Sequence, residues 1–148
     1  MCIRDSTYHS LNRDLESDSA YEKSLKLDPE NAFVLNNYSY YLSLRKVNLE
    51  RAKQMSAYSN KLDPENESFM DTYAWILFQL GDYATAKTFQ EKAVAKNPKS
   101  ATLLEHYGDI LIELGDKDKA LEYWRKAKEA GSDSKTIDTK IASLKYVE

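Results

Sequence analysis

Three prolines divide the 148-residue chain at nearly equal intervals, and this spacing limits its possible folds more than any other feature. They are Pro29, Pro64 and Pro98, so the two intervals differ in length by a single position. The first two prolines stand in identical Asp-Pro-Glu-Asn tetrapeptides, and the third stands in the variant Asn-Pro-Lys-Ser. A period of about 34 residues is typical of a repeat protein, in which one small structural unit recurs along the chain.

Each tetrapeptide predicts a boundary between two helices. Proline lacks a backbone N–H and disfavours helical geometry in the residue before it. The polar residue that ends each tetrapeptide can accept hydrogen bonds from the first free N–H groups of a following helix. We therefore predict that helices begin directly after Asn31, Asn66 and Ser100.

Between these boundaries, apolar residues recur at helical spacing and a glycine divides the interval. The first half of the interval after Pro64 carries apolar residues three, one and three positions apart: Met70, Tyr73, Ala74 and Leu77. The second half carries a comparable set: Ala86, Phe89, Ala93 and Val94. Gly81 lies between the halves, and Gly115 follows it one period later. This pattern predicts an all-α fold built from pairs of antiparallel helices joined by short turns.

The composition argues against several other classes of protein. Four glycines are few for the tight turns of an all-β fold. One cysteine excludes an internal disulfide and a multi-cysteine zinc site, and two histidines argue against a histidine-based metal centre. The net charge of −3 is unsuited to nucleic acid or anionic membranes, which require clustered positive charge. No apolar run approaches the roughly 18 residues of a membrane span. We expect no cofactor, no metal and no nucleic-acid partner.

The helix pairs resemble the tetratricopeptide repeat (TPR) family, whose pattern places small and aromatic residues at fixed positions before a closing proline. In the unit at 67–100 the matching residues are Met70, Tyr73, Ala74, Leu77, Gly81, Tyr83, Ala86, Ala93 and Pro98. In the unit at 101–131 they are Leu104, Tyr107, Gly108, Leu111, Gly115, Ala120, Trp124 and Ala127. In the unit at 32–66 they are Leu35, Tyr38, Ser39, Leu42, Ala52, Ser56, Ser59 and Pro64. The resemblance implies a right-handed solenoid of about three and a half repeats, with a partial repeat at 7–31.

The two ends of the chain differ from the repeats. Ile137, Ile141 and Leu144 predict an amphipathic helix over Asp133–Val147, and we expect the segment 132–148 to cap the solenoid. Residues 1–6 read MCIRDS, resemble adapter sequence translated as protein, and are predicted to be a non-native leader. The register places residue 7 inside a helix, so we expect the chain to be the C-terminal piece of a longer TPR array. The resemblance implies a bacterial parent, either cytoplasmic or associated with the envelope.

Candidate catalytic residues lack partners. Cys2 lies in the predicted leader with no base nearby, and a nucleophile requires one. His106 is adjacent to Glu105 and close to Asp109 on a predicted helix, but no nucleophile accompanies it. We interpret His106 as a solvated histidine on a helix face and predict that the chain is not an enzyme.

The resemblance also implies a binding surface, because the first helix of each TPR lines a concave groove. The groove residues implied by register are Asn36, Tyr40, Asp71, Trp75, Phe78, Glu105, Asp109 and Ile112. Tyr40 and Trp75 hold equivalent positions in adjacent repeats and are expected to stand side by side, with Phe78 near them. Aromatic residues carry a large share of the binding energy at interfaces. An alternative stays open in which these rings pack between helices.

The acidity of this groove indicates which partners it accepts. TPR domains that clamp the C-terminal carboxylate of chaperones use Lys, Arg and Asn at two groove positions. Here Asp71, Glu105 and Asp109 occupy such positions, so we reject the carboxylate clamp. We predict a protein or peptide partner that is neutral to basic and has apolar anchors.

The sequence therefore predicts a non-catalytic scaffold or adaptor for protein–protein interaction. One alternative is a TPR tail of a larger envelope enzyme. The other is an RNA-binding helical repeat, against which the net charge and the acidic groove argue. The partner and the oligomeric state are left open.

Overall fold

A computed structural model describes residues 16–147. Within this range the chain forms eight helices and no strand. They are α1 (16–27), α2 (Ala32–Arg45), α3 (Leu49–Leu62), α4 (Glu67–Gln79), α5 (Tyr83–Lys96), α6 (Ala101–Glu113), α7 (Lys117–Glu129) and α8 (Ile137–Ser143). The leader predicted at 1–6, with Cys2, and the part of the partial repeat that precedes residue 16 lie outside the described residues.

The predicted helix starts are confirmed, each with its own cap. The side chain of Asn31 accepts a hydrogen bond from the backbone N–H of Val34, and Asn66 caps α4 in the same way. Ser100 accepts from the N–H of Leu103 at the start of α6. These caps satisfy N–H groups that have no partner inside their helices, so the Asx-Pro tetrapeptides set the chain's period.

The turns inside the helix pairs use left-handed backbone. Gly81 and Gly115 have φ angles of 87° and 86°, in the region that glycine enters without a steric penalty. The first pair has no glycine in its longer turn, and Lys46 and Asn48 take left-handed conformations there instead. The two glycine-containing turns are thus alike, and the first turn differs from them.

The helices stack in two layers. Each of α2, α4 and α6 packs against the helix that follows it, and α2, α4 and α6 also contact one another in series. They form the inner layer, while α3, α5 and α7 form the outer layer. Because the inner layer consists of the first helix of each pair, its exposed side is where the groove residues predicted by register should lie.

The core between α6 and α7 is built around one indole. Trp124 is fully buried, and its ring lies directly against Gly108. A Cβ atom at Gly108 would lie 2.5 Å from Cδ1 of Trp124, closer than carbon atoms can approach. Glycine at this position is therefore what allows the large side chain to fill the space between the two helices.

One hydrogen bond recurs at equivalent places in two helix pairs. The hydroxyl of Tyr38 donates to Glu22 at 3.0 Å, and that of Tyr107 donates to Glu91 at 2.7 Å. Each bond joins the first helix of a pair to the helix before it. The buried tyrosines at repeat positions therefore satisfy their polar ends while their rings fill the core.

The helix predicted over Asp133–Val147 is shorter, because side chains delay its start and the backbone ends it early. The hydroxyls of Ser132 and Ser134 accept from backbone N–H groups and hold a turn before Ile137. Leu144 adopts a left-handed conformation with φ of 54°, which ends α8. Ile137 is buried against the α6–α7 core, so α8 covers the last helix pair.

Within residues 16–147, no helix combines the length and the apolar composition that crossing a membrane requires.

Candidate functional site

The exposed side of α2, α4 and α6 forms a groove that we call the inner groove. Two open hollows lie along it, and a smaller one, of about 210 Å³, lies beside Lys140 and Tyr146. The first hollow, of about 290 Å³, lies between α2, α4 and α6 and is lined by Asn36, Tyr40, Glu67, Ser68, Asp71, Thr72, Asn97, Ser100, Thr102 and Leu103. The second hollow, of about 570 Å³, is lined by Ser43, Leu44, Lys46, Leu49, Trp75, Phe78, Gln79, Tyr83, Glu113 and Tyr146. The two differ in chemistry, because the first is mainly polar and the second is walled by aromatic rings.

The first hollow holds an exposed aromatic residue beside a buried polar one. Tyr40 is 41% exposed, whereas Asn36 is only 8% exposed. The Oδ1 atom of Asn36 is buried and has no hydrogen-bond partner. An unpaired buried acceptor is unusual in a folded protein, because leaving it unsatisfied costs about 1–3 kcal/mol.

The second hollow is lined by stacked rings. The Trp75 ring stacks on Phe78, with ring centroids 4.8 Å apart and planes 12° apart. Tyr146, from the segment after α8, places its ring edge-on to Phe78 at 5.0 Å, and Tyr83 lies 5.4 Å from Phe78. The side chain of Phe78 is consequently almost fully buried, while Trp75 is half-buried.

The acidic end of the groove is neutralised from within the chain. The ammonium of Lys140 lies 2.9 Å from Oε1 of Glu105 and 3.0 Å from Oδ1 of Asp109. Asp109 also accepts a hydrogen bond from the indole N–H of Trp124 at 3.0 Å. All three side chains of the ion-pair cluster are buried.

Burial and charge act in opposite directions on these carboxyl groups. Burial raises the pKa of Asp109 to about 6, although Lys140 and His106 oppose the shift. Burial is the largest single influence on Glu105 and acts to raise its pKa, but the hydrogen bonds from Lys140 and Ser134, together with the nearby positive charges, outweigh it, and the pKa lies below the ordinary value. The ammonium therefore stabilises a charge that the protein interior alone would disfavour.

The interpretation of His106 as a solvated histidine is wrong. Its Nδ1 donates a hydrogen bond to Oδ1 of Asp71 at 2.9 Å, and its ring stacks on Trp75 with centroids 4.2 Å apart. Asp71 accepts a second hydrogen bond, from Gln90 Nε2 at 2.9 Å. His106 thus links α6 to α4, and its ring covers one face of the Trp75 indole.

The structure separates the eight predicted groove residues into four groups. Asn36, Tyr40 and Asp71 lie together in the first hollow. Trp75 and Phe78 line the second hollow, so Tyr40 and Trp75 line different hollows. Glu105 and Asp109 are buried under Lys140, and Ile112 packs against the α6–α7 core.

Among the site residues that lay outside the predicted set, His106, Lys140 and Tyr146 change the site most. Lys140 could have been noticed, since it falls on the same helical face as Ile137 and Ile141 in a segment facing an acidic groove. Tyr146 gives no comparable signal, because it follows the left-handed turn at Leu144, after which helical periodicity no longer applies.

The contact between His106 and Asp71 predicts a dependence of stability on pH. Burial is the largest single influence and lowers the pKa of His106, but the carboxylates of Asp71, Asp109 and Glu105 together outweigh it, and the pKa lies above its ordinary value of 6.5. The folded state therefore binds more protons than the unfolded state just above pH 6.5, so this contribution to stability is lost as pH rises through the folded pKa. We expect the free energy of unfolding to fall from pH 6.5 to about 8.

Urea denaturation of the parent and of His106→Gln over that range would test this expectation. The free energy of unfolding of the variant should depend less on pH, because glutamine retains a hydrogen-bond donor but does not titrate. Glu105 titrates below this range, and Asp109, whose pKa burial raises to about 6, titrates at its lower end, so the two slopes are compared above about pH 7. An equal slope in the two proteins would show that His106 does not carry the effect.

The groups that line the inner groove are typical of a contact surface. No group of three or more His, Cys, Asp or Glu side chains within residues 16–147 is placed to hold a metal ion. The hollows instead offer hydrogen-bonding groups, aromatic faces and a partly neutralised acidic surface, which are features that hold another chain.

Comparisons with solved structures show several with the same arrangement of helices. The first TPR domain of Spaghetti (RPAP3), bound to the HSP90 peptide SRMEEVD, matches with a TM-score of 0.71 and 18% identity, covering 79% of this chain and 92% of that one. PilF of Pseudomonas aeruginosa matches with a TM-score of 0.74 and 23% identity, covering 93% of this chain and 64% of that one. The TPR domain of Sgt2 from Aspergillus fumigatus matches with a TM-score of 0.69 and 18% identity, covering 76% and 75%.

Sequence comparison assigns the family. No curated protein matches the chain. The model of the tetratricopeptide repeat family, however, matches residues 3–138, which is most of the chain. Together with the all-α arrangement of stacked helix pairs, this match confirms the resemblance that the proline spacing first indicated. The chain belongs to the tetratricopeptide repeat family.

Proposed function

We propose that the chain is a non-catalytic interaction scaffold that binds an extended segment of a partner protein in its inner groove. The observation that carries this proposal is the first hollow, which stays open between α2, α4 and α6 and combines an exposed tyrosine with several polar side chains. The RPAP3 domain, which has the same fold, holds a peptide in its solved structure.

The polar residues of the first hollow suit a peptide backbone. Asn36 lines this hollow, and its amide is one of the polar groups on the wall that a peptide backbone would face. Ser68 and Thr102 line the same hollow and offer hydroxyl groups. The ring of Tyr40 would provide apolar contact area. Tyrosine is among the residues that carry a large share of the binding energy at interfaces.

Charge favours a neutral or basic partner. Glu67 and Asp71 line the first hollow, whereas the second is lined by one residue of each sign, Glu113 and Lys46. Lys140 offsets one of the two negative charges of Glu105 and Asp109, so the remaining field of the groove is mildly acidic. The peptide in the RPAP3 structure, SRMEEVD, is acidic, and we propose that this groove does not accept that class. The same charge argues against nucleic acid as a partner.

Selection from a displayed library of random peptides would test this function. We expect the intact chain to select neutral or basic peptides with apolar residues. A selected peptide should lose about thirtyfold in affinity to Tyr40→Ala, the equivalent of about 2 kcal/mol. Fluorescence anisotropy with the labelled peptide measures the loss.

Leu62→Ala provides a matched control for Tyr40→Ala. Leu62 is 38% exposed, close to the exposure of Tyr40, but lies at the end of α3 in the outer layer. This control should bind the peptide as the parent does. Failure to select any peptide, or equal binding by Tyr40→Ala, would contradict the proposed function.

A further inference from the structure

The second hollow is closed on one side by the chain's own Tyr146. After α8, the left-handed backbone at Leu144 turns the chain back across the inner groove, from α8 towards α4. The Tyr146 ring then meets Phe78 edge-on at 5.0 Å and Trp75 at 6.3 Å. An aromatic side chain from outside the helical repeats therefore occupies a place on the groove's aromatic surface.

The segment that carries Tyr146 is held loosely compared with α8. Ile137 and Lys140 anchor α8, the first by apolar burial and the second through two carboxylates. Beyond Leu144 no hydrogen bond fastens residues 145–147 to the rest of the described chain. The Tyr146 ring packs against the buried cluster that contains Phe78, and Val147 lies beside it in a small hollow. The ring can therefore leave without unpacking α8.

The surroundings of Tyr146 are specific to an aromatic side chain. The Phe78 ring receives its edge at 80°, which is a favoured geometry for two aromatic rings. The ammonium of Lys140 lies 5.4 Å from the centre of the Tyr146 ring, within range of a cation–π contact. Because Lys140 is fixed by Glu105 and Asp109, this cation stays in place when the ring leaves.

We propose that Tyr146 is a built-in occupant of a binding site for aromatic side chains, and that a partner segment presenting Tyr, Phe or Trp displaces it. This inference rests on the proposed function and names the anchor that the partner supplies. A tethered ring competes at an effective concentration of about a millimolar or more, so the intact chain binds such a segment weakly. Removing the Tyr146 ring should let an aromatic side chain of another molecule bind in its place.

The test uses the full chain with Tyr146→Ala and a probe that copies the displaced segment. The probe is a fluorescently labelled peptide with the sequence of residues 143–148, SLKYVE. We expect it to bind Tyr146→Ala at least about tenfold more tightly than the intact chain, because the tethered competitor is gone. The same peptide with alanine in place of tyrosine should show no such gain.

Two variants separate this result from a general change in the chain. Lys145→Ala removes an exposed neighbour of Tyr146 and should bind the probe as the intact chain does. Adding Trp75→Ala to Tyr146→Ala removes one wall of the site and should abolish the gain. Circular dichroism establishes that each variant is folded before binding is measured.

Equal binding of the probe to the intact chain and to Tyr146→Ala, or binding to neither, overturns the inference. The proposed function is tested separately, since it depends on Tyr40 in the first hollow. A library peptide that loses affinity with Tyr40→Ala would support that function even where the Tyr146 result is negative.

Discussion

Replacing Trp124 with alanine is expected to lower the free energy of unfolding by about 4 kcal/mol. The indole is fully buried between α6 and α7, so its removal leaves a cavity that neighbouring helices can close only in part. The variant also removes the N–H donor to Oδ1 of Asp109, a carboxylate whose pKa burial already raises. Both effects destabilise the folded state, and urea denaturation monitored by circular dichroism measures their sum.

Trp75→Ala is the matched control, because it makes the same substitution at a half-buried site. Trp75 contacts Phe78 and His106 at the groove surface, where its removal exposes a hollow to water and leaves no closed cavity. We expect a clearly smaller loss of stability than for Trp124→Ala. A loss at Trp75 that equals the loss at Trp124 would contradict the placement of the two indoles.

The repeats were predictable because their signals are local. Proline and the polar residue after it act within one turn of helix, and the caps at Asn31, Asn66 and Ser100 depend on nothing distant. The glycine turns at Gly81 and Gly115 depend on φ angles that few other residues adopt. The regular period then places equivalent helices on the same layer, which is why the inner layer was identified from register.

Which groove residues are exposed, and which are covered by the chain itself, could not be predicted in the same way. Register placed Glu105 and Asp109 on the groove, but their neutralisation depends on Lys140, which lies outside the repeats. The left-handed conformation of Leu144 decides where Tyr146 goes, and an ordinary leucine gives no local signal for it. Tertiary contacts therefore determine which groove residues are open and which the chain itself covers.

The placement of His106 failed for a related reason. A single histidine next to an acidic residue is most often solvated, and only the position of the neighbouring helix brings Asp71 and Trp75 against it. The two helices lie side by side because of repeat stacking, so the contact is a property of the array and not of α6 alone.

Lys140→Met is expected to lower the free energy of unfolding by about 3 kcal/mol near neutral pH. The lysine side chain is 5% exposed, and methionine of similar length leaves Glu105 and Asp109 buried without a counter-charge from α8. The loss should shrink as pH falls from neutrality towards about 6, because Asp109 of the parent, whose pKa burial raises to about 6, is still charged in this range with lysine present. Without lysine the pKa rises further, so Asp109 is protonated earlier and the repulsion disappears.

Urea denaturation of Lys140→Met and of the parent, near neutral pH and at a mildly acidic pH, would measure this effect. Lys145→Met is the control, since it removes an exposed lysine five residues further along and should change stability by less than about 0.5 kcal/mol. Asp109→Asn in the Lys140→Met background should restore part of the lost stability, because it removes one of the two uncompensated charges. A loss that stays the same at both pH values would show that Lys140 contributes by packing and not by neutralising the groove.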